Sequence, residues 1–209
     1  MRDHGLVNDS RHAFLSSAES FVALVGSIQV AELASPGLGD WDLRSLVGHT
    51  SRSLVTVETY LDQPADAVEV PTAADYYLLI AASGAASGDA VVERGRQAGA
   101  ALGDDPAGHV RDLAERVSVK LAAYDASYAL TTIAGGMVLG EYLRTRTFEL
   151  VVHGLDIGRA SGVEPAYAEG ALVDAATLAA EVAVRSGHGP TLLAALTGRG
   201  ELPAGYSIV

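Results

Sequence analysis

Along the chain, stretches whose apolar residues return at every third or fourth position alternate with short breaks of glycine, proline and acidic residues, the pattern of amphipathic helices joined by turns. The first stretch predicts a helix over 9–34, with Phe14, Ala18, Phe21, Val25 and Ile28 on one stripe, broken by Pro36, Gly37 and Gly39. A second helix follows Asp40-Trp41-Asp42 and runs to Leu61. Leu43, Leu46, Val47, Leu54, Val57 and Leu61 form its stripe, and Asp40 or Asp42 is its N-cap. Pro64 to Pro71 reads as a linker. The third segment opens at Pro71-Thr72 and carries Tyr76, Leu79, Ile80, Ala86, Val91 and Arg94, interrupted by Gly84 and Gly88.

Gly103-Asp104-Asp105-Pro106 supplies a turn, a cap and a first-turn proline for a fourth helix to Ala122. Tyr124 to Ile133 fits helix and extended chain alike and closes at Gly135-Gly136. A fifth helix spans 138–160, with Arg159 in its last turn and Ser161-Gly162 as its stop. Pro165 restarts a sixth helix to Ser186 and Pro190 a seventh to Thr197, and the tail from Arg199 to Val209 is expected as a strand or arm against the rest. The fold class this predicts is all-α.

Composition narrows the function. With 209 residues, 49% of them hydrophobic and 19% charged, the chain can bury a sizeable core as one domain or one domain with an extension. The absence of cysteine excludes disulfide scaffolds, zinc ribbons, iron–sulfur clusters and a cysteine nucleophile, so any thiol chemistry must use an external thiol. The net charge of -12 and a single lysine, Lys120, leave no basic stripe for nucleic acid or an anionic membrane. The first fourteen residues hold no secretory apolar core, and no apolar run reaches the roughly 18 residues that span a bilayer, so a cytoplasmic protein is expected.

One arrangement carries chemistry. Between Thr145 and Ile157, Glu149 and His153 stand four apart and share a helix face, a pair that can grip a divalent ion. Arg146 lies three residues before Glu149 and Asp156 three after His153, so the ladder reads as anion clamp, ligand, ligand and orienter. Read plainly, the same residues are a histidine-capped glutamate with Arg146 as its ion-pair partner. The apolar flank of Phe148, Leu150, Val151, Val152 and Leu155 argues for partial burial, and a buried carboxylate needs a compensating partner. A third ligand must come from elsewhere. His4, His12, His109 and His188 read as surface residues, whereas His49 sits inside the apolar second helix beside Gly48, which permits close approach of a neighbour. A lone histidine there is also well explained as a core-edge residue bonded to a carbonyl or carboxylate.

The segment Trp41-Asp42 through Leu46-Val47-Gly48-His49, followed by Thr145-Arg146, Glu149, His153-Gly154-Leu155-Asp156 and Gly158 to Gly162, resembles the mycothiol-dependent maleylpyruvate isomerase family of DinB-like metal-binding four-helix bundles. The ending, with its Leu-Pro-Ala-Gly-Tyr run, is also similar to tails of family members. The resemblance implies a bundle over 8–162 with metal ligands at His49, Glu149 and His153, and a helical extension with a short extended tail over 163–209 packed on it. Two imidazoles and a carboxylate suit zinc, and three protein ligands leave one position open, the mark of catalysis or ligand capture.

The implied cosubstrate is mycothiol, whose metal-activated thiolate would add to a small electrophilic substrate, in an isomerase or an S-transferase. Arg52, three residues after His49, and Arg146 are candidates to hold a substrate carboxylate, with ion pairs to Glu149, Asp156 or Glu58 as their structural alternative. Tyr142 either lines the pocket or packs in the core. Family members append a sizeable C-terminal domain that helps complete the active site, so the resemblance implies thiol chemistry without naming maleylpyruvate as substrate. A metal-dependent hydrolase with Asp156 as base, and a non-enzymatic ligand-binding or homodimeric bundle, stay open.

Overall fold

The computed structural model describes residues 3–83 and 89–208, with side chains from Ser10 onward. The His4 side chain and the expected interruption at Gly84, Ala86 and Gly88 lie outside them. In chain order the elements are α1 (Asp3–Gly26), a 3-10 turn (Val30–Ala34), α2 (Leu43–Tyr60), α3 (Ala73–Ser83) and α4 (Asp89–Ala101). They continue with α5 (Pro106–Leu121), β1 (Ala129–Thr132), β2 (Gly135–Val138), α6 (Leu139–Ser161), α7 (Glu169–Arg185) and α8 (Gly189–Leu196).

Helix α1 packs against α5 and α6, and α2 packs against the same two, which closes a DinB-like four-helix bundle. The expected stripes face inward: Phe14 and Phe21 of α1 and Leu43, Leu46, Val47, Leu54 and Val57 of α2 are fully buried, with Leu113 and Leu121 of α5 and Leu143 and Leu150 of α6 opposite. Each such side chain contributes about 1.5–3 kcal/mol on leaving water. Asp42 caps α2 by accepting from the Ser45 amide at 2.7 Å, and Asp105 caps α5 through Gly108 at 2.9 Å. Gly162 ends α6 in the left-handed conformation.

Helix α4 packs on α2 at very short range. A Cβ at Gly48 would fall 2.1 Å from the Gly99 amide nitrogen, so only a glycine pair permits this contact beside His49. On the other side, α7 lies against α6, α1 and α3, burying Ala171, Ala175, Leu178 and Val182. Arg144 of α6 ties it down through Asp174 at 3.0 Å and Glu181 at 3.1 Å.

Several boundaries differ from expectation for identifiable reasons. The first helix stops at Gly26 rather than at 34, because its buried stripe runs out at Ile28; the following 3-10 turn buries only Leu33 and leaves Val30 exposed. The third segment holds two helices, since α3 serves α6 and α7 while α4 serves α2, partners that one straight rod cannot reach together. The ambiguous run after Tyr124 becomes an antiparallel hairpin in which Leu130 pairs with Met137, both fully buried. Gly135 and Gly136 therefore open its second strand instead of ending a segment. Helix α7 starts at Glu169, not Pro165, because residues 163–168 first run back along α6. There the Tyr167 hydroxyl donates to the Leu150 carbonyl at 2.9 Å and occupies the space that a Cβ at Gly154 would need. The tail forms no strand among the described residues, although Ile208 packs on the core and the Tyr206 ring lies 5.4 Å from that of His188.

Candidate metal centre

The site joins α2 to α6. His49 comes from the middle of α2, where the Trp41 ring lies 4.5 Å from its own, and Trp41 is anchored by its Nε1 donating to the Val92 carbonyl of α4 at 2.9 Å. Glu149 and His153 come from successive turns of α6, with side chains 21% and 18% exposed. The rings of His49 and His153 meet edge to face at 4.9 Å. One donor atom from each of His49, Glu149 and His153 lies within 4.8 Å of the other two.

The surroundings fix the charge of each group. Burial, then the nearby His153, pulls the His49 imidazole down to about 4, so it is neutral near pH 7 and offers a lone pair. Burial would raise Glu149, but the hydrogen bond from His153, the charge of Arg146 and the Tyr77 hydroxyl hold its carboxyl at about 2. Burial would lower His153, yet Asp156 and Glu149 on either side raise it to about 9. Its Nε2 faces Glu149 Oε2 at 3.3 Å and its Nδ1 faces Asp156 Oδ2 at 3.3 Å. Asp156 in turn accepts from Arg159 at 2.9 Å. With only protein groups around it, His153 is thus an imidazolium between two carboxylates, where a positive charge is wanted.

The donors present fit a divalent cation. The set is two nitrogens and one oxygen, with one imidazole already neutral, and the second His is oriented by a carboxylate on its far nitrogen, as in most histidine metal sites. His49 Nδ1 is also buried without any hydrogen-bond partner, a position a purely structural core-edge histidine would have filled with a carbonyl or carboxylate.

Residues outside the expected set complete the centre. Tyr77 of α3 donates its hydroxyl to Glu149 Oε1 at 2.6 Å, which leaves Oε2 turned toward His153. Thr72 positions α3 by accepting from the Asp75 amide, and Glu141 of α6 accepts from the Ala73 amide at 2.8 Å. No local spacing could have signalled Tyr77, which is 72 residues from its acceptor.

The two expected guanidinium groups are near the site, but not in the ion pairs considered for them. Arg146 is only 9% exposed and makes no ion pair among the described residues. Its Nε donates to Thr145 Oγ1 at 3.0 Å, and its guanidinium carbon lies 5.1 Å from the Tyr142 ring centre and 5.5 Å from that of Tyr76. Arg52, half-buried on α2, likewise forms no ion pair among the described residues: Glu58 is taken by Arg116 at 2.9 Å and Asp156 by Arg159 and His153. Tyr142 is buried in the core and meets the site through Arg146. His12, His109 and His188 are exposed, and no helix among the described residues is long and apolar enough to cross a membrane.

Fold and site together define a DinB-like helical bundle with a possible histidine–glutamate–histidine metal centre. The family described as mycothiol maleylpyruvate isomerase N-terminal domain matches residues 14–158, well over half of the chain and all three candidate ligands, and the chain belongs to it. No curated protein and no solved structure gives a significant match.

Proposed function

We propose that His49, Glu149 and His153 hold one divalent cation, zinc by the character of the donors, and that the protein uses it to join mycothiol to a small electrophilic substrate as an S-transferase or isomerase. The convergence of the three donors, within 4.8 Å across two helices that are far apart in sequence, carries this reading. A cation held there stabilises a bound thiol as its thiolate, the nucleophile that a chain without cysteine cannot itself provide.

The protein groups have separable tasks. His49 presents a neutral imidazole backed by Trp41, and Tyr77 keeps one Glu149 oxygen occupied so that the other faces inward. Asp156 holds the His153 ring by its Nδ1 and fixes which nitrogen faces the centre. Arg52 and Arg146 supply positive charge on the approach. A hydrolase would need Asp156 as a free base; its engagement by both His153 and Arg159 favours the thiol reading. Residues 163–209 act here as an extension of the 8–162 bundle, and the cytoplasm is the compartment that suits a small-molecule thiol enzyme.

Elemental analysis of protein purified without added metal should find about one divalent ion per chain. Glu149→Gln should weaken retention more than Asp156→Asn, since losing a ligand costs more than losing its orienter. Mycothiol added to the cobalt-substituted protein should produce a sulfur-to-cobalt charge-transfer band. Silence in that spectrum with metal bound would overturn the thiol assignment, and absence of stoichiometric metal would overturn the centre itself.

A further inference from the structure

Helix α3 meets the metal centre with one side chain and is tied to α7 by another. Tyr77 donates to Glu149 Oε1 at 2.6 Å and also lies 3.1 Å from the Thr145 carbonyl, both on α6. Asp75, two residues earlier, stands roughly 200° away around the helix, on its other side. There Arg185, the last residue of α7, spans two acceptors: one terminal nitrogen donates to Asp75 Oδ1 and the other to Thr72 Oγ1 at 3.1 Å. Thr72 donates to Asp75 Oδ2 at 2.6 Å and accepts from the Asp75 amide at 3.1 Å, so the guanidinium closes a ring on the first turn of α3. The bond from Arg185 holds the Asp75 carboxyl below its usual range.

A second tether starts from the same turn. The Ala73 amide donates to Glu141 Oε2 at 2.8 Å, and that oxygen also accepts from Arg144 at 3.2 Å. The other nitrogens of Arg144 hold Asp174 and Glu181 of α7. Helix α7 is itself firmly seated by Ala171, Ala175, Leu178 and Val182. The buried residues of α3, by contrast, are Ala73, Ala74, Tyr76 and Tyr77, all within its first five positions. Apolar packing that short leaves the rotation of a helix to its polar contacts. An exposed ion pair such as Arg185–Asp75 contributes little to global stability. What it fixes is the direction in which α3 faces, and therefore whether the Tyr77 hydroxyl meets Glu149.

We propose that Arg185 is a positioning residue for the metal centre, acting through Thr72 and Asp75 on the rotation of α3 and so on the bond between Tyr77 and Glu149. Helix α7 then shapes a site to which it lends no ligand. The zinc readout rests on His49, Glu149 and His153 being metal ligands, whereas the coupling of Arg185 to Tyr77 exists without metal and is measured without it.

The full chain is compared with Arg185→Met, Tyr77→Phe and the double variant. Arg111→Met is the control, since the ion pair of Arg111 among the described residues is to neighbouring Asp112 at 3.8 Å, far in the fold from α3. Zinc competition against a chromophoric chelator should show Arg185→Met binding about threefold or more weakly than wild type, less than the about 10–100-fold effect of a group bonded directly to a ligand. In the Tyr77→Phe background the same substitution should change affinity by no more than about twofold, and Arg111→Met should leave it unchanged. The d–d bands of cobalt-substituted Arg185→Met should shift in the same direction as those of Tyr77→Phe, a signature that loss of stability alone does not produce. In chelator, the Tm losses of the two single variants should together exceed that of the double variant, because independent sites add. If Arg185→Met folds poorly, Asp75→Asn interrupts the same tether from α3 and is held to the same outcomes. An unchanged cobalt spectrum, zinc affinity within about twofold of wild type for Arg185→Met, or additive effects in either cycle would overturn the proposal and leave the metal reading intact. If wild-type protein binds neither zinc nor cobalt while the metal-free cycle is non-additive, the metal reading fails and the coupling of Arg185 to Tyr77 stands.

Discussion

Removing a single hydroxyl tests whether α3 belongs to the centre. In Tyr77→Phe the ring keeps its contacts with Phe148 at 5.2 Å and Tyr76 at 5.6 Å, so apolar burial is preserved, and what is lost is the hydroxyl's 2.6 Å bond to Glu149 together with its longer 3.1 Å contact with the Thr145 carbonyl. A hydrogen bond to an ionised group contributes about 1.5–3 kcal/mol net, and here its loss leaves a buried carboxylate one donor short. For a chain of this length each kcal/mol shifts Tm by roughly 2–4 °C, so chelator-treated Tyr77→Phe should melt roughly 3–12 °C below wild type. Glu149 also loses the restraint that turns Oε2 toward His153. Substitutions at such orienting partners weaken metal affinity about 10–100-fold, equivalent to about 1.4–2.7 kcal/mol. Thermal unfolding in chelator gives the first quantity, and zinc competition against a chromophoric chelator gives the second, with circular dichroism to establish that helix content is retained. Zinc affinity within twofold of wild type, alongside the full loss of Tm, would reduce Tyr77 to a prop for α3 and refute its role at the centre.

Two further outcomes follow from the same geometry. In chelator-treated protein His153 is raised from 6.5 to about 9, so its contribution is complete below 6.5 and is lost as pH rises through about 9. Calorimetric Tm should fall over that window and flatten when zinc replaces the proton, and a decline that zinc leaves untouched would contradict the site. On the acid side Glu149, lowered from 4.5 to about 2, loses its contribution as pH falls through that range. His49, lowered from 6.5 to about 4, resists the proton that the unfolded chain accepts and adds to the acid loss. Gly48→Ala drives a Cβ to 2.1 Å from the Gly99 nitrogen and 2.5 Å from the Ala98 carbonyl carbon, backbone that cannot rotate away. Overpacking of this kind costs about 3 kcal/mol or more and should move His49, so both Tm and zinc retention should drop, and a neutral result on both would refute the close contact.

What was readable in the chain depended on how locally it was encoded. The stripe Leu43, Leu46, Leu54 and Val57 and the pair Glu149 and His153 repeat within a turn or two of one helix, so the face they occupy follows from helical geometry alone. That His49 faces this pair depends on α2 meeting α6, which spacing does not encode; the family resemblance supplied it, and Gly48 was the one local hint, since its missing side chain lets α4 close on α2. Tyr77 was out of reach because neighbouring Tyr76 and Tyr77 are equivalent in composition, and which one reaches Glu149 depends on the rotation of α3. That rotation is set by Glu141 at the Ala73 amide and by Arg185 on Asp75, contacts between elements remote in sequence. Arg146 shows how a correct local rule yields to its surroundings. Three residues from Glu149, it stands where an ion pair would form on an isolated helix. In the folded protein Tyr77 and His153 engage the carboxylate, and the buried guanidinium lies instead beside the Tyr76 and Tyr142 rings with its Nε on Thr145, so contacts between elements replace the partner that spacing alone would name.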